Sequence, residues 1–188
     1  MAIETTAGRS GVSVAGLVLS AQAGDRAAFA QLYAAFGRVV HGVVLAHSGP
    51  RDAEDLVQEV FVACFQRLGE LRDPAAFAGW LCAAARNAGV DALRRRQRTP
   101  VATPLVEVAD TADTPVQAAE QRELAQRVLA CVQQLPVAYR EPLVLRLVEG
   151  LTGPEIAERT GLTHGSVRVN LTRGMALLRP LLQQAGLP

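Results

Sequence analysis

Lysine is absent from this chain; all 19 basic residues are Arg. The bias runs the whole length, so it reflects composition, of the kind a GC-rich genome imposes, and marks no local site. Aromatic residues make up only 4% while apolar residues make up 49%, so Ala, Leu and Val must supply the packing. Such a composition favours helices, because strands draw on β-branched and aromatic residues. Cysteine is scarce. Cys64, Cys82 and Cys131 are odd in number and far apart, with no C-x-x-C, which excludes a disulfide framework or a zinc site. Each sits among apolar residues at helical spacing and reads as a buried small hydrophobe. His41, His47 and His164 form no H-x-x-x-H pair. G-x-x-x-x-G-K-[ST], H-x-E with C-x-x-C, and any neighbouring Cys–His pair are all missing. No catalytic residue, metal or cofactor is expected. Asp52, Glu54, Asp55 and Glu59 share one helix with no second ligand set facing them. The N-terminal apolar run from Val12 to Leu19 is broken by Ser13 and Gly16 and is too short to span a membrane. No membrane insertion is expected, and the cytoplasm is the expected compartment.

What is present is a polarity of charge. Net charge is only +1. Residues 1–96 hold ten Arg against nine acids, net +1. Residues 97–120 hold Arg98 against Glu107, Asp110, Asp113 and Glu120, net −3. Residues 121–188 hold eight Arg against five acids, net +3, with no acid beyond Glu158. A basic end behind an acidic middle points to a polyanionic partner for the C-terminal part.

Helical periods fill most of the chain. Residues 1–20 are weakly patterned and are expected to be frayed or disordered in part. Asp25 can cap a helix carrying Phe29, Leu32, Tyr33, Phe36, Val40, Val43 and Val44, stopped by Ser48-Gly49-Pro50. Asp52 can cap a second, with Glu54 and Asp55 in its first turn and an apolar stripe of Leu56, Val60, Phe61, Cys64, Phe65 and Leu68, ended by Gly69. Asp73-Pro74 opens a third, with Phe77, Trp80, Leu81, Ala84, Ala88 and Ala92 inward and Arg94-Arg95-Arg96 at its end. Trp80 reads as a core anchor more readily than as a stacking platform. Asp91 reads as a partner for an Arg three or four residues on. Residues 97–114 have no helical period and form a linker able to span about 60 Å. Thr114-Pro115 opens a helix carrying Leu124, Val128, Leu129, Val132 and Leu135. Pro136 opens the next, with Leu143, Val144, Leu147 and Val148 inside and Gly150 at its end.

The stretch from Leu151 to Leu178 is the most informative. Thr152-Gly153-Pro154-Glu155 is a capping box with Pro in the first turn. Ile156 and Ala157 face inward on a short helix, Gly161 permits a tight turn, and Leu162 anchors it. Thr163 can cap a second helix that buries Val167, Leu171 and Leu178. Two short helices, a tight turn with Gly and Arg on the second helix make a helix-turn-helix. Arg168, Thr172 and Arg173 lie away from the buried face, where a major groove would receive them.

With these residues assembled, the chain resembles the extracytoplasmic-function sigma factors of the sigma-70 family. Arg51-Asp52-Ala53-Glu54-Asp55-Leu56-Val57-Gln58-Glu59-Val60-Phe61 is similar to the core-binding helix of sigma region 2. Phe77-Ala78-Gly79-Trp80-Leu81, Ala85-Arg86-Asn87 and Asp91-Ala92-Leu93-Arg94-Arg95-Arg96 are similar to the rest of that region. Leu135-Pro136, Tyr139-Arg140-Glu141, Glu149-Gly150-Leu151-Thr152, Glu155-Ile156-Ala157 and Gly165-Ser166-Val167-Arg168 resemble region 4. The resemblance implies an all-α protein of two small helical domains joined by a flexible linker. The divisions would be a variable segment over 1–21, region 2 over 22–96, an acidic linker over 97–119 and region 4 over 120–188.

The resemblance further implies a division of labour. Asp55, Gln58, Glu59 and Phe61 would meet the β′ coiled coil of core RNA polymerase, and region 4 the β flap. Arg86, Asn87, Arg94 and Arg95 would hold the minus-ten element as single strand. His164, Ser166, Arg168, Val169, Thr172 and Arg173 would meet the minus-thirty-five duplex. The acidic linker would thread the polymerase cleft, and an anti-sigma partner is expected. Asn170 and Met175 stand where many members carry basic residues. Two lost charges predict a shallower salt dependence, by roughly 0.9 per contact.

Two other classes compete. A free-standing helix-turn-helix regulator would need residues 22–96 to supply a dimer interface or effector domain. A nucleic-acid enzyme would need a catalytic constellation that the sequence lacks.

Overall fold

The computed structural model describes residues 13–50, 53–98 and 115–187, with side chains from 123 onward in the last stretch. The expected caps Asp52 and Thr114 and most of the linker lie outside these residues. Among the described residues every regular element is helical: α1 Val14–Gln22, α2 Arg26–Ser48, α3 Ala53–Arg67, α4 Phe77–Arg98, α5 Pro115–Gln133, α6 Val137–Leu147, α7 Gly153–Thr160 and α8 His164–Gln184.

The first half builds itself around α2. Its N-cap Asp25 accepts from the amides of Ala27 and Ala28 at 2.8 and 3.2 Å. Its end is set by Gly49, whose φ of 84° suits a residue without Cβ. By length and composition α2 could cross a membrane, yet from Gly42 to Ser48 it is buried on every side by other helices. That pattern belongs to a central core helix. Phe77 at the start of α4 is almost wholly buried and meets Phe36 edge to face at 5.3 Å.

The sequence reading requires two corrections here. Of the segment expected to be frayed or disordered in part, residues 1–12 lie outside the described residues, and Val14–Gln22 is a helix: Ser13 caps it through the Gly16 amide, Val18 is fully buried, and Gln22 Nε2 donates to the carbonyls of Leu68 and Leu71 at 2.9 and 2.8 Å. Its pattern is faint because so few of its side chains reach the core. α3 ends at Arg67, two residues before the expected Gly69, which lies inside a 3₁₀ turn, Leu68–Glu70, clamped by Arg67 donating to Glu70. A further 3₁₀ turn, Pro74–Ala76, capped by Asp73, precedes α4.

The second half folds α5, α6, α7 and α8 around Leu129, Leu143, Ile156, Val167 and Leu178. Gly174 lets α8 lie flush on α6: a Cβ there would come within 2.9 Å of Leu143. Leu147 and Val148 are about half exposed rather than inside. The buried residues of α6 are instead consecutive, from Glu141 to Leu145. A helix buries consecutive positions when it is covered on two sides, and α6 packs on α8 on one side and on α2 on the other. The two halves therefore share one continuous core.

Candidate nucleic-acid interface

The helix-turn-helix is formed as its local signals require. Thr152 Oγ1 accepts from the Glu155 amide, while the Glu155 carboxylate accepts from the Thr152 amide at 2.7 Å. Those hydrogen bonds hold the Glu155 carboxyl below the usual carboxylate range. Gly161 turns the chain with φ 73°. Thr163 caps α8 by accepting from the Ser166 amide at 3.1 Å, and its hydroxyl lies 2.8 Å from that of Ser166. Ser166 is thus engaged in the cap, whereas His164 stands exposed at the first position of α8.

Arg168, Val169, Thr172 and Arg173 come together. They are exposed and line one shallow groove of about 200 Å³ on the outer face of α8. Among the described residues no carboxylate lies within ion-pair distance of Arg168 or Arg173. Asn170 and Met175 are half-buried beside this face.

The candidate residues on α4 divide between two sides. Asn87 is exposed and lines a cavity of about 170 Å³ with Trp80, Ala83, Ala84, Cys64 and Arg67. Trp80 is half-buried, its ring 6.2 Å from that of Phe77, so it packs on the core with one side and borders this cavity with the other. Arg67 is a lining residue that the sequence reading missed. Burial lifts the Cys64 thiol to about 11, against a small opposing effect from Arg67. Arg94 is exposed and pairs with Asp91 at 3.4 Å, the i, i+3 contact expected; Arg95 is exposed.

Arg86 faces elsewhere. Its guanidinium holds the carboxylate of Glu141 on α6 in a two-point grip, Nε to Oε2 at 3.0 Å and Nη2 to Oε1 at 3.1 Å. Cys82, one turn before it, donates to the Arg159 carbonyl of α7 at 3.4 Å. Burial lifts that thiol to about 12, with the Glu141 charge adding to it and Arg86 opposing.

On α3, Asp55, Gln58 and Glu59 are exposed as expected. Phe61 is not: it is 3% exposed, with its ring 4.4 Å from that of Tyr33. The outward apolar residues are Val62 and Phe65, one position and one helical turn further on. With Gln58, Tyr33, Phe29 and the buried Phe61 at its floor they line an apolar groove of about 500 Å³. Exposed Tyr and Phe at helical spacing are the signal that the stripe reading assigned to the core. Among the described residues no three His, Cys, Asp or Glu side chains are grouped to hold a metal ion.

Comparison with known proteins places this geometry. Residues 32–99 match sigma-70 region 2 and residues 125–178 match sigma-70 region 4. An ECF RNA polymerase sigma factor from Mycobacterium tuberculosis, SigM, is 33% identical over 93% of this chain and 87% of its own length. A probable RNA polymerase sigma factor from Xanthomonas campestris, RfaY, is 33% identical over 87% of this chain, which spans 42% of that relative. Among solved structures, CnrH in complex with the cytosolic domain of CnrY superposes with a TM-score of 0.62 at 28% identity, over 91% of this chain and 97% of that one.

Proposed function

This chain belongs to the sigma-70 family, as a sigma factor of its extracytoplasmic-function group, and from that premise we propose how its residues divide the work of transcription initiation. The observation that carries the reading is the outer face of α8, where Arg168, Val169, Thr172 and Arg173 share one exposed groove without an acidic neighbour. These four read the minus-thirty-five duplex. His164 and Ser166 sit at the helix start, where free amides and the helix dipole favour a phosphate. Val169 offers a thymine methyl an apolar contact.

The minus-ten strand lies along α4. Arg94 and Arg95 hold phosphates. Asn87 reads a base edge at the mouth of the cavity beside Trp80, which is small enough to receive part of an unstacked base. Arg86 joins them once freed from Glu141. Core polymerase docks on the exposed face of α3. Asp55 and Glu59 give it an acidic rim, Gln58 a polar edge, and the groove of Val62, Phe65 and Tyr33 an apolar centre; Phe61 supports that groove from below. The β flap meets the second half. The work is done by binding alone: unstacked bases are trapped by favourable contacts, and no covalent step is asked of these residues. The protein acts in the cytoplasm, and an anti-sigma protein restrains it; the similar CnrH is itself seen in complex with another protein, the cytosolic domain of CnrY.

Footprinting of a promoter fragment separates this from a free-standing regulator. Addition of the chain with core polymerase should protect both elements and make minus-ten thymines reactive to permanganate. Protection by the chain alone, unchanged by polymerase, would contradict the proposal.

A further inference from the structure

No residue of α1 lines the α8 groove, the α3 groove or the α4 cavity, yet α1 holds the connection between α3 and α4. Gln22 stands at its last position and is half-buried. Through Nε2 it donates to two carbonyls of that connection, Leu68 at 2.9 Å and Leu71 at 2.8 Å. A side-chain amide has two N–H donors, and both are used on one short segment. The mount is firm, because Val18 and Ala21 bury the inner side of α1.

The connection has little of its own to hold it in place. Its first 3₁₀ turn, Leu68–Glu70, is closed by the Leu71 amide donating to the Leu68 carbonyl at 3.1 Å. A turn of that length is marginal by itself, so contacts from outside decide where it sits. α1 supplies them, packing on both 3₁₀ turns as well as on α4. Gly69 faces open space: a Cβ there would meet no atom within 4 Å, so nothing limits the turn from that side.

The two bonded carbonyls bracket Gly69 and Glu70. Glu70 accepts from Arg67 Nε and Nη2 at 3.0 and 2.8 Å, and Arg67 lines the cavity shared with Trp80 and Asn87. The Arg67 and Glu70 side chains are 64% and 62% exposed, so this pair is too weak to fix its own geometry. Its placement depends on the turn that carries Glu70. Stacking beside Trp80 tolerates any base, whereas hydrogen bonds to a base edge need donors within about 2.7–3.2 Å. A displaced Arg67 therefore costs discrimination between bases more than it costs binding.

We propose that Gln22 is a positioning residue for minus-ten recognition: its amide clamps the α3–α4 connection, and through Glu70 it sets where the Arg67 guanidinium stands in the cavity that Asn87 and Trp80 share. The inference rests on that cavity receiving the minus-ten base, but the clamp itself does not.

Three variants of the full-length chain keep a side chain of similar length and vary its donors. Gln22→Met has none, Gln22→Glu turns acceptors on both carbonyls, and Gln22→Lys keeps N–H donors. Each is combined with core polymerase, and the rate of promoter opening is measured on promoters that differ by single minus-ten bases. Acrylamide quenching of Trp80, the one tryptophan of the chain, reports access to the cavity in the free protein. Circular dichroism confirms that each variant is folded. Gln22→Met and Gln22→Glu should lower the rate ratio between the preferred base and its alternatives by about fivefold or more at one minus-ten position, the worth of a lost base-edge hydrogen bond. Both should at least double the Trp80 quenching constant. Gln22→Lys should stay near wild type in both readouts. Equal slowing on every promoter with the ratios kept would make Gln22 a structural contact only and overturn the proposal. Wild-type quenching in Gln22→Met would overturn the clamp. Failure of the initiation reading is seen separately, as wild type that opens no promoter with core polymerase; the quenching series still tests the clamp in that case.

Discussion

Arg86 and Glu141 stand 55 residues apart in sequence and share a two-point hydrogen-bonded ion pair at 3.0 and 3.1 Å. One belongs to the match to region 2 and the other to the match to region 4. The acid is nearly sealed, while the Arg side chain is 38% exposed. Removal of the Arg strands a buried carboxylate, which costs about 3–5 kcal/mol in a fully enclosed site. Partial exposure lowers that figure, and we expect Arg86→Ala to destabilise the contact between the two halves by about 2 kcal/mol. Hydrogen exchange should show faster amide exchange in α6 and α7, and in the α2 turns they cover, with α3 unaffected.

Arg173→Ala should weaken binding of the polymerase complex to a minus-thirty-five duplex by about tenfold or more, a loss within the 1–3 kcal/mol of a good groove contact. If Arg173 lies on a phosphate, the slope of log affinity against log salt falls by about 0.9. Affinity for core polymerase should not change. Equal loss of both would contradict the separation of α8 from the polymerase face.

Phe61 and Phe65 should part company. Phe61→Ala removes a core ring and should lower stability by about 3–5 kcal/mol, seen in urea unfolding. Phe65→Ala should leave the melting temperature near that of wild type and weaken core polymerase binding, as should Asp55→Ala with Gln58→Ala. A polymerase defect confined to Phe61→Ala would reverse these roles.

Thr152→Ala should cost about 1 kcal/mol through loss of the α7 cap. The partner acid adds a pH signature. Hydrogen bonding to Thr152 holds the folded Glu155 carboxyl below its ordinary value, so its contribution is complete above that ordinary value and is lost as pH falls through the lower, folded one. Stability measured from about pH 6 downward should therefore fall more steeply in wild type than in Glu155→Gln.

The parts of the fold written in neighbouring residues were legible. Asp25, Asp73, the Thr152–Glu155 box, Gly161 and Thr163 act within a few residues of themselves, and each does what its spacing predicts. The same locality made the α8 face readable. Phe61 and Phe65 share one stripe at i and i+4, and only the placement of Tyr33 and Phe29 on α2 decides which lies beneath. Nothing local marks Glu141 or Glu149 as buried, because their partners are 55 and 108 or more residues away. One trace was available. The consecutive apolar residues Leu143, Val144 and Leu145, and the all-round apolar stretch of α2 from Gly42, are what a helix needs when covered on two sides.

The central claim is that this chain gives core RNA polymerase its promoters. Transcription in vitro with purified core polymerase, free of other sigma factors, on a pooled promoter library tests it most directly. The account predicts transcripts with defined starts and a shared pair of short upstream elements, dependent on this protein and lost with Arg173→Ala. No promoter-specific transcript, together with a duplex footprint made by the chain alone, would contradict it.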